Sequence, residues 1–412
     1  MLKSIHVQGF KSLVDLNVEF PALTVLFGPN ASGKSNLLEA VQLLSRCGTS
    51  RTLAEAFEGT TRGFPLEAFS FVSGGLPELL KKPRASFRIE ARLECAGDKY
   101  NYQLEVQIQP GSGSLTVNDE RLFKETGKGK SEGKPIIEQV DDGLHIRRKK
   151  KPAHPRQEPL HLNHALLSDR RFAGEGYEGI ESCRSELEGW RVYYLDPRVA
   201  MRAARSPRDV QDIGMLGEDI APFLYKLHSE FPKYFQTITR TLRSLIPRVE
   251  SLSVDLDEKR GTLDIQIHQD GQAISSRIIS EGTLRVLALC AIAANPWSRG
   301  LIAFEEPENG VHPRRLELIA ELLISLAVRQ KRQIIVTTHS ALFCNAILKR
   351  RCDHADDIAM LNVKRTSNGT IVNSFDYSME PLFEETEFAH ALTTPTEDGL
   401  FEALMLRGLT DE

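Results

Sequence analysis

Ile5 and Val7, then Leu16, Val18 and Phe20, are apolar at a spacing of two, and Leu23 to Phe27 follows as a short, nearly continuous apolar run. Alternation puts one face of a strand on a core and the other in water, whereas an unbroken run marks a strand covered on both faces. The pattern predicts two edge strands leading into a buried one. That run ends at Gly28-Pro29-Asn30-Ala31-Ser32-Gly33-Lys34-Ser35, after which Leu37, Leu38, Val41 and Leu44 recur at helical spacing. Strand, glycine-rich turn and helix is therefore the predicted order. From about Ala85 to Val117, Phe87, Ile89, Ala91 and Leu93, then Tyr102, Leu104, Val106 and Ile108, alternate across Gly97-Asp98. This predicts an antiparallel lobe beside the first strands.

Residues 124–160 change character, with Gly127-Lys128-Gly129-Lys130, a basic run of Arg147, Arg148, Lys149, Lys150 and Lys151, and Pro152, Pro155 and Pro159. Such composition predicts a mobile, surface-exposed insertion. Ile220, Phe223, Leu224, Leu227 and Phe231, then Phe235, Ile238, Leu242 and Leu245, follow helical spacing with Pro232 between them, which predicts two packed helices. Leu252 to Leu256 and Leu263 to Ile267 alternate as a hairpin across Glu258 to Gly261, and Ser280 opens an apolar helix through Ala294. Leu301 to Phe304 and Ile334 to Val336 are buried runs separated by a helix over roughly Arg314 to Arg329, the rhythm of a parallel sheet. From Ile358 two more strands are expected, then an acidic tail with Phe401, Leu404 and Met405 at helical spacing. The division this suggests is 1–120 with the glycine-rich turn and antiparallel lobe, 121–215 as a partly mobile insertion, 216–360 as helices and a second core segment, and 361–412 as C-terminal strands and tail.

Composition narrows the function classes. The chain has 412 residues, 41% hydrophobic and 26% charged, so it can bury a sizeable core as one large or two unequal domains. Fifty-two Lys and Arg against 56 Asp and Glu give a net charge of -4, which excludes a globally basic nucleic-acid binder and leaves only local patches. Cys47, Cys95, Cys183, Cys290, Cys344 and Cys352 form no CxxC pair and no zinc-finger spacing, which suits free thiols in a reducing cytosol. The N-terminus has no signal-peptide core and no stretch of about 18 apolar residues is present, so a cytoplasmic protein without membrane contact is expected.

Gly28 to Ser35 matches GxxxxGK[ST] between an apolar strand and an amphipathic helix, the context in which that pattern binds phosphate. Backbone N–H groups at Ala31, Ser32 and Gly33 can wrap a β-phosphate at the helix N-terminus, Lys34 supplies a cation to the β- and γ-phosphates, and Ser35 a hydroxyl to Mg²⁺. Glu305 and Glu306 end an apolar strand. Neighbours on a strand point to opposite sides, so one carboxylate can face Mg²⁺ and the other the water that attacks the γ-phosphate. His339 follows a second buried strand and can donate to the γ-phosphate or orient that water. Ser280-Glu281-Gly282-Thr283 precedes the apolar helix, where Ser280 or Glu281 caps and the free N–H groups form a second anion site, one that could serve another copy of the chain.

In that order GPNASGKS, ISEGTLR, LIAFEEPENGVHP and IIVTTHS resemble the ABC-type ATPases of the RecF, SMC and OLD group, and most closely the stand-alone OLD-like ATPases of bacterial anti-phage systems. The motifs span both ends of the chain; the middle, about 40–270, is covered by general layout. The resemblance implies an α/β fold: a P-loop ABC-type ATPase head with a mainly parallel core sheet, an antiparallel β lobe and a helical or loop insertion. It also implies ATP and Mg²⁺, and two heads closed head-to-tail over two nucleotides. Under it Lys34 and Ser35 hold phosphate and Mg²⁺, and Asn30 and Gly33 shape the loop. Glu305 is the metal-facing acid, Glu306 polarises the attacking water, His339 is the switch histidine, and Ser280 and Gly282 act in trans. Two departures stand out: Glu305 occupies a position usually held by aspartate, and SEGT stands where transporters have SGGQ. Slow hydrolysis is expected.

No sustained heptads separate the phosphate loop from the signature, so no coiled-coil arm is expected. About 70 residues follow His339, too few for the TOPRIM domain of OLD nucleases, so the chain is not expected to cut DNA alone. The favoured function is an ATPase subunit that dimerises on ATP and regulates a separately encoded effector, a nuclease, in anti-phage defence. The alternative is a RecF-like ATPase that binds DNA in repair or recombination, motivated by the basic run 147–151. A transporter subunit is disfavoured by the signature and the long separation of motifs, and an inactive nucleotide-bound scaffold predicts no effect of Glu306→Gln.

Overall fold

The computed structural model describes residues 1–59, 62–71, 74–126, 131–141, 143–148, 154–351 and 354–375. The chain forms two compact units, each discontinuous in sequence. The first comprises Met1–Pro21, Gly28–Trp190 and Leu361–Ser374, the second Ala22–Phe27, Arg191–Met360 and Phe375–Glu412.

The first unit is built on an eight-stranded antiparallel sheet. Its strands are β1 (Leu2–Phe10), β2 (Leu13–Glu19), β4 (Ala85–Cys95), β5 (Asp98–Gln109), β6 (Ser114–Lys124), β7 (Ile137–Val140), β8 (Gly143–Ile146) and β9 (Arg156–Pro159), in the order β2-β1-β4-β5-β6-β7-β8-β9; Leu23–Phe27, strand β3, belongs to the second unit. The alternation read from the sequence is the burial pattern observed. Phe87, Ile89, Ala91 and Leu93 of β4, and Tyr102, Leu104, Val106 and Ile108 of β5, are all buried. The turn between them falls one residue earlier than the composition suggests, at Ala96-Gly97. Both residues take positive φ, 51° and 87°, as a two-residue hairpin turn requires, and Cys95 pairs with Asp98.

Residues 137–159, which composition reads as loop-like insertion, instead supply three short strands to this sheet, because Ile137, Leu144 and Ile146 keep the period-two burial. The chain beyond is pinned by two buried charges. Glu120 accepts from the N–H groups of Leu166 and Leu167 at 2.6 and 2.9 Å and from the Tyr102 hydroxyl at 3.0 Å. Arg184 of α4 (Glu178–Glu188) donates to the carbonyls of Leu167, Asp169 and Phe172. Between them they satisfy backbone groups that no sheet or helix uses, which a buried irregular segment requires. Helices α1 (Lys34–Cys47), α2 (Leu53–Phe57) and α3 (Gly75–Lys81) complete this part of the unit.

The second unit contains four adjacent parallel strands, β10 (Arg191–Tyr193), β14 (Leu301–Glu305), β15 (Gln333–Thr338) and β3 (Leu23–Phe27), paired in that order. All five residues of β3 and all six of β15 are buried, which is why these strands read as unbroken apolar runs. Helices α5 (Ile220–Glu230) and α6 (Pro232–Leu245) meet at Pro232, which occupies the first helical position of α6, where its missing N–H costs nothing. A three-stranded antiparallel sheet, β11 (Val249–Asp257), β12 (Thr262–Gln269) and β13 (Gln272–Ser275), adds one strand to the expected hairpin. Helix α7 (Glu281–Ala293) is buried throughout from Thr283 to Ala293. Helix α8 (Leu316–Ile324) ends in a π-helical turn at Ser325–Arg329, and α9 (Ala341–Arg351) follows β15.

The hairpin of β16 (Ile358–Thr366) and β17 (Gly369–Ser374) lies in the first unit from Leu361 onward. Among the described residues the longest helices, α1 and α6, have 14 residues, so there is no coiled-coil arm, and no helix is long and apolar enough to cross a membrane. The five described cysteines are buried and none of them is in a disulfide. Lys149, Lys150 and Lys151 of the basic run and the acidic tail with Phe401, Leu404 and Met405 lie outside the described residues.

Candidate nucleotide site

Strands β3, β14 and β15 end at one edge of the parallel sheet, with Thr338 paired to Phe27 and Glu305 to Thr337. The residues that follow each strand are Gly28, Glu306 and His339. Ends of parallel strands are where such sheets bind ligands.

The phosphate loop, within the first unit, is shaped by what cannot fit beside it. A Cβ on Gly28, at φ 148°, would lie 2.3 Å from the Val363 carbonyl oxygen, and one on Gly33, at φ 109°, 2.2 Å from Thr370 Oγ1 and 2.9 Å from Ser12 Oγ. Ala31 also takes positive φ, at 64°. Ser12 and Thr370 form a small hydroxyl cluster under the loop. Their Oγ atoms are 2.7 Å apart, Asn36 Nδ2 donates to Ser12 Oγ at 2.7 Å, and Thr370 Oγ1 donates to the Ser32 carbonyl at 3.0 Å. Lys34 is buried and its Nζ donates to the carbonyls of Gly28 and Pro29, both at 2.7 Å.

No side chain caps the start of α1 and its first turn carries no acidic residue. The Ser32 hydroxyl, in a residue 1% exposed, has no hydrogen-bond partner. An uncapped helix start, a lysine in the loop and an orphaned buried hydroxyl together fit a phosphate group. Asn30 and Ala31 are exposed at the tip of the loop, and Ser35 is half-buried.

The second unit holds the carboxylates. Glu305 is half-buried at the end of β14, and Glu306 leaves the strand in left-handed backbone, φ 47°. Glu306 thus lies just beyond the end of β14, outside the strand alternation read from the sequence. Glu306 is held from both sides: its N–H donates to the Thr337 carbonyl at 3.0 Å, and its carbonyl accepts from Asn309 N at 3.1 Å and from Arg285 Nη1 at 3.3 Å. Its Oε1 lies 2.8 Å from Nδ1 of the half-exposed His339. A carboxylate only accepts, so this contact places a proton on Nδ1 and leaves Nε2 for another partner.

Glu308 forms a second rung of the same turn. Only 6% exposed, it accepts from the Thr338 hydroxyl, while its Oε2 is buried without a partner. Burial, reinforced by the Glu306 charge, pushes its carboxyl from 4.5 up to about 7, against the opposing effects of the Thr338 hydrogen bond and of His339. Among the described residues no cluster of three or more His, Cys, Asp or Glu could cage a metal. Ser35 offers a hydroxyl in the first unit and Glu305 a carboxylate in the second, oxygen donors of the kind that Mg²⁺ takes.

The signature segment shows a use within its own unit for each expected trans residue. Ser280 caps α7, its Oγ accepting from Thr283 N at 3.2 Å and lying 2.8 Å from Thr283 Oγ1. Gly282 packs against the Gly310 carbonyl, 2.2 Å from where a Cβ would stand. Arg198 pairs with Glu281 at 2.9 Å, and Arg202 donates to the carbonyls of Arg277 and Ile279. The structure thus gathers Ala31 to Ser35 in one loop, and Glu306, His339 and Gly282 around one turn. Sequence reading missed Ser12, Thr370, Glu308, Thr338 and Arg285. Of these only Glu308 had a usable signal, a third acid within the motif after β14.

The family described as "AAA domain, putative AbiEii toxin, Type IV TA system" matches residues 23–345. The chain belongs to this family. It is an ABC-type ATPase of the RecF, SMC and OLD group. The RecF DNA replication and repair protein of Picosynechococcus sp. is 31% identical over 125 residues, 30% of this chain and 26% of that protein. The chain therefore spans about a quarter of the length of that relative. The OLD nuclease of Thermus scotoductus is 22% identical over 406 residues, 90% of this chain and 66% of that protein. The Smc head domain of Pyrococcus furiosus, solved with the C-terminal domain of ScpA, superposes with a TM-score of 0.51 at 12% identity, covering 95% of this chain and 99% of that one. That likeness shows the ABC-type head fold of the ATPase and nothing of its partners.

Proposed function

We propose that this chain is a cytoplasmic ATPase subunit that binds Mg-ATP, closes head-to-tail with a second copy, and so controls a separately encoded effector, a nuclease, in bacterial anti-phage defence. The observation that carries the enzymatic part is the Glu306–His339 pair, 2.8 Å apart on a backbone turn held by three hydrogen bonds. A solvated acidic turn would need no such construction. Lys34 and the N–H groups of residues 31–33 hold the phosphates, and the Ser32 hydroxyl adds a donor. Ser35 and Glu305 would hold Mg²⁺, which when bound neutralises charge on the phosphate oxygens. Glu306 orients the attacking water and draws its proton, while Nε2 of His339 donates to the γ-phosphate or orients that water. Ser280 and Gly282 would meet the other copy's nucleotide through the N-terminus of α7, with Gly282 also serving the packing within its own chain. The longer carboxylate at Glu305 favours slow turnover. The OLD nuclease that aligns along 90% of the chain supports the link to a nuclease.

Light scattering on Glu306→Gln with and without Mg-ATP, beside phosphate release from the unaltered protein, tests this. The expected result is measurable release by the unaltered protein and a mass that doubles only with ATP in the variant. Equal release from both proteins would remove Glu306 from the reaction.

A RecF-like DNA-binding role is the second reading, favoured by the 31% identity to a RecF protein. The described part of the basic run argues against that run as the contact: Arg147 is paired with Glu138 and donates to the Pro135 carbonyl, and Arg148 donates to the Tyr177 hydroxyl. Anisotropy of labelled duplex at two salt concentrations separates the readings, since phosphate contacts give a steep salt dependence.

A further inference from the structure

The turn carrying Glu306 is packed against the first two helical turns of α7, and none of the reaction chemistry above explains that packing. At Gly282 backbone meets backbone, because a Cβ there would stand 2.2 Å from the Gly310 oxygen and 3.1 Å from its carbonyl carbon. Three residues on, Arg285 reaches the same turn from the same helix face and donates to the Glu306 carbonyl at 3.3 Å. Arg285 is buried, its Nε has no partner, and the charges that face it are Glu308, Glu306, Glu281 and Asp196. Burying a guanidinium is costly, and a hydrophobic residue would pack here without that penalty. The arrangement makes sense if the carbonyl of Glu306 must be held.

Glu306 needs holding. A non-glycine residue at φ 47° persists where neighbours over-determine it, and Thr337, Asn309 and Arg285 supply that determination. Two of the three belong to the strand and turn themselves. Arg285 is the exception, since it comes from the helix whose N-terminus is the signature segment.

We propose that Arg285 is a positioning residue through which the state of the signature segment sets the geometry of Glu306. When the start of α7 is engaged by a nucleotide held on a second copy, Gly282–Gly310 and Arg285–Glu306 carry the turn with it, and Glu306 reaches the geometry that activates water. Turnover on one chain's nucleotide is thereby tied to engagement of the partner's. This rests on the paired-head ATPase reading given above.

Arg285→Gln and Arg285→Lys, assayed for phosphate release across ATP concentrations and for ATP-dependent mass, test the proposal. In Arg285→Gln, kcat should fall by about tenfold to a hundredfold, the loss expected for one charge-assisted hydrogen bond. The half-saturating ATP concentration and the ATP-driven doubling of mass should be retained, and Arg285→Lys should recover part of the loss. Unchanged kcat in Arg285→Gln overturns the proposal while leaving the ATPase reading intact. Loss of nucleotide binding and assembly together with kcat also overturns it, because Arg285 would then be a packing residue. An unaltered protein that releases no phosphate removes the ATPase reading and this proposal with it. If Arg285→Gln does not fold, Arg285→Met fills the buried site without a charge and removes the same hydrogen bond. It should lower kcat with the half-saturating ATP concentration and the ATP-driven doubling of mass retained, and unchanged kcat there counts against the proposal equally.

Discussion

At Gly33 in the phosphate loop and at Glu306 in the carboxylate turn the backbone takes positive φ, 109° and 47°, but by opposite means. The loop uses a residue without a side chain, and the neighbouring hydroxyls of Thr370 and Ser12 close over the space a Cβ would fill. The turn uses a residue whose side chain is the proposed reagent, a role glycine could not fill, and donors from elsewhere hold the strain. A geometry enforced by residue type is robust and local. One enforced by contacts is adjustable by whatever moves the contacts, which is the property a regulated catalytic group needs.

The largest effect is expected at Gly33→Ala. The new methyl would stand 2.2 Å from Thr370 Oγ1 in a backbone region that alanine avoids, and strain plus overpacking cost about 3 kcal/mol. Denaturant midpoint and fluorescent-nucleotide binding should both fall. Partial recovery of both by Thr370→Ala in the same chain, which removes Oγ1 and the methyl together, would locate the clash at Thr370, whereas an unaffected single variant would break the claim that the loop is fixed by exclusion.

Next in size is a pH dependence that compares two buried carboxyls. Glu120 in the first unit and Glu308 in the second are each pushed by burial from 4.5 up to about 7. Each binds its proton more tightly folded than unfolded. Stability from each is therefore full below pH 4.5 and is lost as pH rises toward 7, at about 1.4 kcal/mol per pH unit within that window. Glu120→Gln and Glu308→Gln should each flatten urea-derived stability between pH 5 and 7. Glu120, with three donors on its carboxylate, should lose more stability at pH 5 on replacement than Glu308, which has one donor. Equal slopes in variants and unaltered protein would show that neither group titrates in the folded state as its burial implies.

The same contrast explains what could be read without a structure. The loop was legible because its turn depends on residue type at fixed spacing, Gly28 and Gly33 standing where a Cβ would clash and Lys34 opening α1, and β3, β14 and β15 because strands covered on both faces leave unbroken apolar runs. The long strands β4 and β5 were legible through alternation. Strands β7 to β9 were hidden because each has only four residues, too few to show a period against lysine- and proline-rich surroundings. Ser12 and Thr370 were hidden for another reason: 358 residues separate them, and hydroxyls that meet only on folding leave no local trace. The conformation of Glu306 was invisible likewise, since it depends on Arg285 and Thr337, not on its sequence neighbours.

A smaller effect should separate strain from chemistry at Glu306. Glycine accepts φ 47° without penalty, so Glu306→Gly should raise stability by about 1 kcal/mol, offset in part by the lost His339 contact, while abolishing phosphate release. Glu306→Ala keeps the strain and loses the same contact, so it should melt below Glu306→Gly. Equal melting temperatures for the two would mean that the turn stores no strain.

The smallest effect is expected at Ser32, and it bears on whether the loop is complete by itself. Its hydroxyl is buried and unpartnered while its carbonyl is held by Thr370. A buried hydroxyl without a partner costs stability, so Ser32→Ala should be neutral or stabilising by less than about 1 kcal/mol in the absence of nucleotide. With nucleotide the sign should reverse: a donor aimed at phosphate is lost, and affinity for ATP should weaken by about tenfold, the range of one hydrogen bond to a charged acceptor. Opposite signs from one methyl-sized change would separate the loop's folding from its binding. The same sign in both measurements would place the hydroxyl outside the phosphate contact and leave binding to the backbone and Lys34.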